Sequence, residues 1–174
     1  MTIGHSNRAL EDFIAMLQAH RVELLVDVRT VPRSRHNPQF NLENLPESLA
    51  AAGIGHLHMP GLGGLRHPRK DSNNTGWRND SFRGYADYMQ TPDFAQNIEQ
   101  LLALDKVRRV AVMCAESVPW RCHRSLIADA LTARGIPVLH IMSATKASPH
   151  KVTSFARVEG ERVTYPSPEM DLFP

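Results

Sequence analysis

The chain has 174 residues, 42% hydrophobic and 22% charged, with a formal net charge of +2. That length fits one domain, which removes roughly 70% of its unfolded surface from water. The composition excludes a disordered or fibrous protein, and the small net charge argues against a generic nucleic-acid coat. No charged and apolar leader, no run of about 18 apolar residues and no repeat of 20 to 50 residues is visible, so a cytoplasmic protein with no membrane partner is expected. Two cysteines eight positions apart beside a histidine do not form the framework of a disulfide-stapled domain, which leaves reactive, redox, metal-binding or inert roles.

In chain order, Thr2-Ile3 reads as a short strand, and Leu10, Phe13, Ile14 and Leu17 follow as the stripe of an amphipathic helix. Leu24 to Val28 suits a strand covered on both faces. The segment DVRTVPRSRHNPQF is a loop, marked by its prolines and polar residues. Asn41 to Ala52 can form a helix ended by Gly53, and GHLHMP gives a third strand stopped by Pro60. Gly61 to Asp80 has no periodicity, and aperiodic loops of this length act as lids, bind something or are disordered.

Phe82, Tyr85, Ala86 and Met89 predict a helix with Ser81 as its cap. Thr91-Pro92 starts another as N-cap and first helical residue. Val107 to Met113, Ser125 to Arg134 and Val138 to Met142 read as strand, helix and strand. Beyond Ser143, Ser148-Pro149 could cap a short helical turn, and residues 156–158 and 162–165 could pair as a hairpin around Glu159-Gly160.

This order predicts a single-domain α/β fold, Rossmann-like and doubly wound. It has a mostly parallel sheet of about five strands with helices on both faces. The α/β domain is expected over 1–145, with 146–174 an extension packed on it or partly flexible.

Ligands of such sheets sit outside the carboxyl ends of the strands. The first strand end carries His5, Ser6 and Asn7; the second Asp27, Arg29, Arg33, Ser34 and Arg35; the third Gly61, Gly63 and Gly64; the fourth Cys114, Glu116, Cys122, His123 and Arg124. Four strand ends with such chemistry make a site there the natural reading. The motifs TIGHSN at 2–7, DVR at 27–29 with Pro32 and Ser34, LGG at 62–64, MCAE at 113–116 and CHR at 122–124 together resemble the family catalogued as domain of unknown function 488. The resemblance runs from about Thr2 to Ile141. It implies a compact α/β fold and supplies no activity.

Each motif has an ordinary explanation beside the functional one. Cys114, at a strand end before a helix, is placed for thiolate stabilisation or is a small buried hydrophobe. Arg124 could grip an anion at the helix start or pair internally with Glu116 or Asp27. Ser6 and Asn7 could donate to a ligand or cap a helix. Asp27 could orient Arg29 or His123, His56 and His58 read as structural or surface residues, and a glycine-rich turn is weak evidence alone. The layout looks like that of rhodanese-type sulfurtransferases and cysteine phosphatases. However, Cys114 precedes Arg121 and Arg124 by the wrong spacing, and the Glu116 carboxylate would repel phosphate.

The Cys-x7-Cys-His spacing lacks the paired clips of structural zinc sites, so no metal is assigned, and no cofactor is identified. A reversible Cys114–Cys122 disulfide is a further alternative. The leading expectation is a pocket for a small anionic ligand. In it Cys114 acts as nucleophile or redox thiol, Glu116 and His123 manage protons, and His5, Ser6, Asn7, Asp27, Arg29, Arg33, Gly63, Gly64, Cys122 and Arg124 form the binding shell. Between Arg29 and Arg83, eight basic residues stand against four acids. The alternative is therefore a nucleic-acid or nucleotide module using Arg33, Arg35, Arg66, Arg69 and Lys70, with Trp77 or Trp120 to stack a base. A non-catalytic scaffold is the third reading. Oligomeric state is not legible from the sequence.

Overall fold

The computed structural model describes residues 1–167; the rest of the C-terminal extension lies outside the described residues. Six strands form the central sheet: β1 (Thr2–Gly4), β2 (Leu24–Asp27), β3 (Gly55–His58), β4 (Val110–Cys114), β5 (Leu139–Ser143) and β6 (Lys146–Pro149). Their spatial order is β3-β2-β4-β1-β5-β6. The first five run parallel, and β6 pairs antiparallel with β5. The helices are α1 (Leu10–Ala19), α2 (Leu45–Ala51), α3 (Asp80–Tyr88), α4 (Pro92–Asp105) and α5 (Arg124–Ala133). A separate hairpin joins β7 (Arg157–Glu159) to β8 (Arg162–Thr164).

The two-residue alternation of side chains along a strand explains why both faces are covered. Leu24, Val26, Val110 and Val112 point into a core with Tyr85, Phe94, Ile98, Leu126 and Ile127 from α3, α4 and α5. Leu25, Ala111 and Met113 point the other way, into a core with Phe13, Leu17, Leu45 and Leu49 from α1 and α2. A strand buried on both sides has no room for polar alternation, hence the continuous apolar runs LLV and VAVM.

Three local expectations are corrected. Ser148-Pro149 does not cap a helical turn; it ends β6, an outer strand where proline's missing N–H costs no ladder bond. Asn79, not Ser81, caps α3, because its side-chain oxygen accepts from the N–H groups of Ser81 and Phe82. Neither Ser6 nor Asn7 caps α1, which begins after Ala9 with no side-chain cap. The Thr91 cap of α4 and the 157–164 hairpin form as the sequence predicts.

The long aperiodic loop is ordered by buried polar anchors. Asp87 on α3 accepts from Arg69 N, Ser72 Oγ and Asn74 Nδ2 at 2.8, 2.6 and 2.8 Å. Asn74 Oδ1 in turn accepts from Tyr165 N at 2.9 Å. Tyr165 and Val163 are buried in the main core, so the hairpin region and the loop hold each other.

The topology brings the carboxyl ends of β2, β4 and β1 side by side. The register sets Asp27 against Met113 and Gly4 against Cys114. Gly4 must be glycine here, because a Cβ would run into the backbone carbonyl of Glu116 in the loop after β4. Gly4→Ala should therefore displace that loop and cost about 3 kcal/mol, the upper end for overpacking. Urea unfolding at fixed slope measures it, and a loss below about 1 kcal/mol would show that the loop yields freely.

Candidate functional site

A cavity of about 400 Å³ lies over the end of β4, lined by Cys114, Glu116, Arg121, Cys122 and His123 together with Arg29, Val31, Gly64, Leu65 and Phe82. Cys114 is the last residue of β4, and the loop after it folds through a 3-10 turn at Pro119–Arg121 before α5. This return brings Cys122 back beside Cys114. His123 Nδ1 lies 3.9 Å from Cys114 Sγ and 3.8 Å from Cys122 Sγ. The His123 ring is seated against Tyr85 at 5.0 Å between centroids. On its other side, a Cβ on Gly64 would come within 2.5 Å of Nδ1. Gly64 is thus small for the sake of the imidazole.

The expected anion-binding arginines are turned inward. Arg124 is 1% exposed. Its guanidinium donates to the carbonyls of Glu116 and Ser117, to Thr2 Oγ1 at 3.2 Å and to Cys122 Sγ at 3.4 Å. The two internal partners expected for it, the side chains of Glu116 and Asp27, are replaced by main-chain oxygens of the cysteine loop. Arg29 is likewise spent: it forks onto Asp27 at 2.9 and 2.6 Å and donates to Phe40 O at 2.6 Å and to His5 Nε2 at 3.2 Å.

Asp27, fully buried, sits beside His56 and Arg29. Burial pushes its carboxyl up, but the bonds from Arg29, with the His56 ring 3.8 Å away, outweigh this and hold it at about 2. His5 is buried, with Nδ1 on Ser6 O at 2.7 Å. Burial, assisted by the charge of Arg29, lowers its pKa to about 4. His5 is therefore neutral at pH 7, donating from Nδ1 and accepting at Nε2.

Of the remaining expected residues, His5, Ser6, Asn7 and Arg33 line an adjoining cleft, which shares Arg29, Val31, Ala115 and Glu116 with the thiol cavity. Asp27, Gly63 and Arg124 line neither. Glu116 is exposed and its carboxylate accepts from Val118 N at 3.2 Å, bracing the loop turn. The basic loop is also largely engaged. Arg66 lies 3.6 Å over the Tyr88 ring and donates to Gly61 and Gly63 carbonyls, and Arg69 pairs with Asp71.

Two features escaped the sequence reading. Arg121 is the exposed guanidinium on the wall of the thiol cavity; its only signal was its place inside the cysteine run. Behind Arg124 runs a buried chain of hydrogen bonds. Thr2 Oγ1 meets His140 Nδ1 at 2.7 Å, His140 Nε2 meets His150 Nδ1 at 2.9 Å, and His150 Nε2 meets Asp129 Oδ1 at 2.7 Å. Asp129 also accepts from Thr153 N, Thr153 Oγ1 and Tyr165 Oη, so it acts purely as an acceptor. One polarity satisfies the whole chain: Arg124 donates to Thr2, Thr2 to His140, His140 to His150 and His150 to Asp129. Both imidazoles are then neutral, and burial lowers the His140 pKa to about 4. An Asp on a buried helix face is the signal that could have been read.

The donor atoms of Cys114, Cys122 and His123 lie within 4.8 Å of one another, close enough for three corners around a soft divalent cation. Arg124 beside Cys122 Sγ would add a positive charge next to that cation. His123 Nε2, buried without a partner, also lacks the outer bond that fixes a metal-bound imidazole. The same surroundings suit a lone thiolate. The two thiols lie close enough to titrate as a pair. A hydrogen bond from Cys114, with His123 and Arg124 nearby, pulls Cys122 down against the cost of burial. The same hydrogen bond and burial push Cys114 up. The first proton of the pair leaves easily and the second is held.

Residues 9–131 match the family model described as domain of unknown function DUF488. No curated protein and no solved structure matches the chain. No helix among the described residues is long and apolar enough to cross a membrane.

The buried histidines and Asp27 set the acid response. His5 and His140 have folded pKa values below their ordinary 6.5, so the unfolded chain binds protons first, and stability falls as pH drops from 6.5 towards 4. Asp27, lowered from 3.8 to about 2, contributes about 2 kcal/mol that is fully present above pH 4 and lost as pH falls through 2. Urea midpoints measured from pH 7 to 2 should fall in these two stages; a flat profile down to pH 4 would contradict neutral, buried imidazoles. Asp129→Asn should cost about 2–3 kcal/mol by the same assay, since it removes charge-assisted bonds from three residues.

Proposed function

For a chain that belongs to the domain of unknown function DUF488 family, we propose a cysteine-dependent enzyme that performs thiol–disulfide exchange on a small anionic substrate. The observation that carries this reading is the convergence of Cys114, Cys122 and His123 under one cavity, beside the buried Arg124. Among the described residues, no carboxylate lies within ion-pair distance of that guanidinium. A thiolate on Cys122, 3.4 Å from Arg124 Nε, is the anion best placed to answer its charge.

In the proposed cycle the Cys122 thiolate attacks one sulfur of a substrate disulfide. The new S–S bond forms as the old one breaks, and one substrate half leaves as a thiolate. Cys114 then gives its proton to His123 and attacks the sulfur of Cys122, which expels the second half. The enzyme is left with a Cys114–Cys122 disulfide, oxidised by the two electrons the substrate gained, and a thiol reductant resets it. The sulfurs start within 4.8 Å of each other and close to about 2.05 Å in the bond. Arg121 is the cation on the cavity wall, and Val31, Leu65 and Phe82 give that wall an apolar character. This suits a substrate with an apolar body and one negative group.

The nucleic-acid alternative is less well supported by the basic loop, whose Arg66 and Arg69 are engaged internally. Trp77 is packed against Phe82 and Phe155.

Alkylation by iodoacetamide across pH, read by mass spectrometry, tests the assignment. Cys122 should label well below pH 7. Cys114→Ala, which removes the donor to Cys122 while leaving Arg124, should raise the pKa of Cys122 and slow its labelling at pH 6 by about tenfold. Labelling of both cysteines with an ordinary thiol pKa would sink the thiolate. Failure of the reduced protein to form an intramolecular disulfide with a small disulfide such as oxidised glutathione would sink the exchange.

A further inference from the structure

A second cavity, of about 530 Å³, opens on the other side of the Pro119–Arg121 turn, against the outer strands β5 and β6 and the segment that follows them. The turn is a partition: Arg121 lines the thiol cavity and Trp120 lines this one. None of the residues expected for the thiol site lies in it, whereas Trp77 and Trp120, the two candidates for stacking a base, both do.

Its chemistry is one-sided. Trp120 is 69% exposed, a large flat indole with no apolar cover. Lys146 and Lys151 are exposed on the same cavity, and among the described residues neither ammonium has a carboxylate within ion-pair distance. No acidic residue lines the cavity. His140 and His150 contribute to the wall, and Trp77 lines it while its Nε1–H is buried without a partner. An open indole and two ammonium groups without a carboxylate partner ask for a flat ring and a multiply charged anion on one ligand. The thiol cavity differs: there an acidic residue, Glu116, lines the wall together with Arg121.

We propose that this second cavity binds a nucleotide, with the base on Trp120 and the phosphate on Lys146 and Lys151. The assignment does not depend on the thiol chemistry, since no sulfur lines the cavity other than that of Met142.

AMP is the probe, titrated against the full chain by calorimetry and tryptophan fluorescence at low salt. Saturable one-to-one binding is expected, weakened about tenfold or more in Trp120→Ala and in the Lys146→Ala/Lys151→Ala double variant. All three residues are exposed, so unchanged unfolding midpoints should accompany the loss. Arg121→Ala and Cys122→Ser should bind AMP as the parent does, and adenosine and inorganic phosphate should each bind at least tenfold more weakly than AMP. The proposal is overturned by absence of saturable binding at millimolar AMP, by loss of binding in Arg121→Ala with retention in Trp120→Ala, or by phosphate alone binding as tightly as AMP.

Discussion

The structure around the site depends on the burial of one guanidinium. A charge this far from water is tolerated only when its donors are met and its field is answered. Arg124 meets the first requirement with two carbonyls of the cysteine loop, one hydroxyl of β1 and one sulfur. Each contact fixes something: the carbonyls fix the path of residues 114–118, Thr2 ties α5 to the central strand, and Cys122 Sγ is held next to the charge. The second requirement is met at a distance. Asp129 lies four hydrogen bonds away, reached through Thr2 and two neutral imidazoles. A carboxylate in direct contact would have neutralised the guanidinium and removed the reason for a thiolate.

The sheet order explains why these groups meet. Because β4 returns between β2 and β1, the carboxyl ends of three consecutive neighbours form one floor, with Arg29, Cys114 and His5 at one level. Two close backbone approaches then seal it, at Gly4 under the loop and Gly64 beside His123. The loop between β3 and α3 is held by Asp87 and Tyr165, so Leu65 can stand over the cavity on a fixed backbone. A 20-residue aperiodic segment becomes a wall through three buried polar anchors.

Much of this was legible from periodicity. The strands and helices follow from apolar runs, stripes and caps, and the convergence at the strand ends follows from the alternation of β and α elements. Two kinds of information were hidden because they are nonlocal. Residue type does not say which arginine is spent: Arg29 and Arg124 carry the same charge as Arg121, and only the fold turns two of them inward. The relay joins Thr2, Asp129, His140 and His150, which no local pattern connects. The cap contest between Asn79 and Ser81 is local, and the extended backbone of Asn79, the residue immediately before the helix, decides it. The Pro149 error has a different origin, since proline marks both helix starts and edge strands.

This division between spent and free cations also sets what the thiol cavity can recognise. Its floor holds positive charge that is spent on the protein's own oxygens and sulfur, whereas its wall carries one exposed guanidinium, Arg121, and one carboxylate, Glu116. In the proposed exchange a polyanion would meet both signs of charge there, so affinity would come mainly from the apolar wall and from the covalent step. The second cavity has the reverse balance, with unopposed ammonium groups and no thiol. A single three-residue turn, Pro119–Arg121, separates the two and gives a side chain to each.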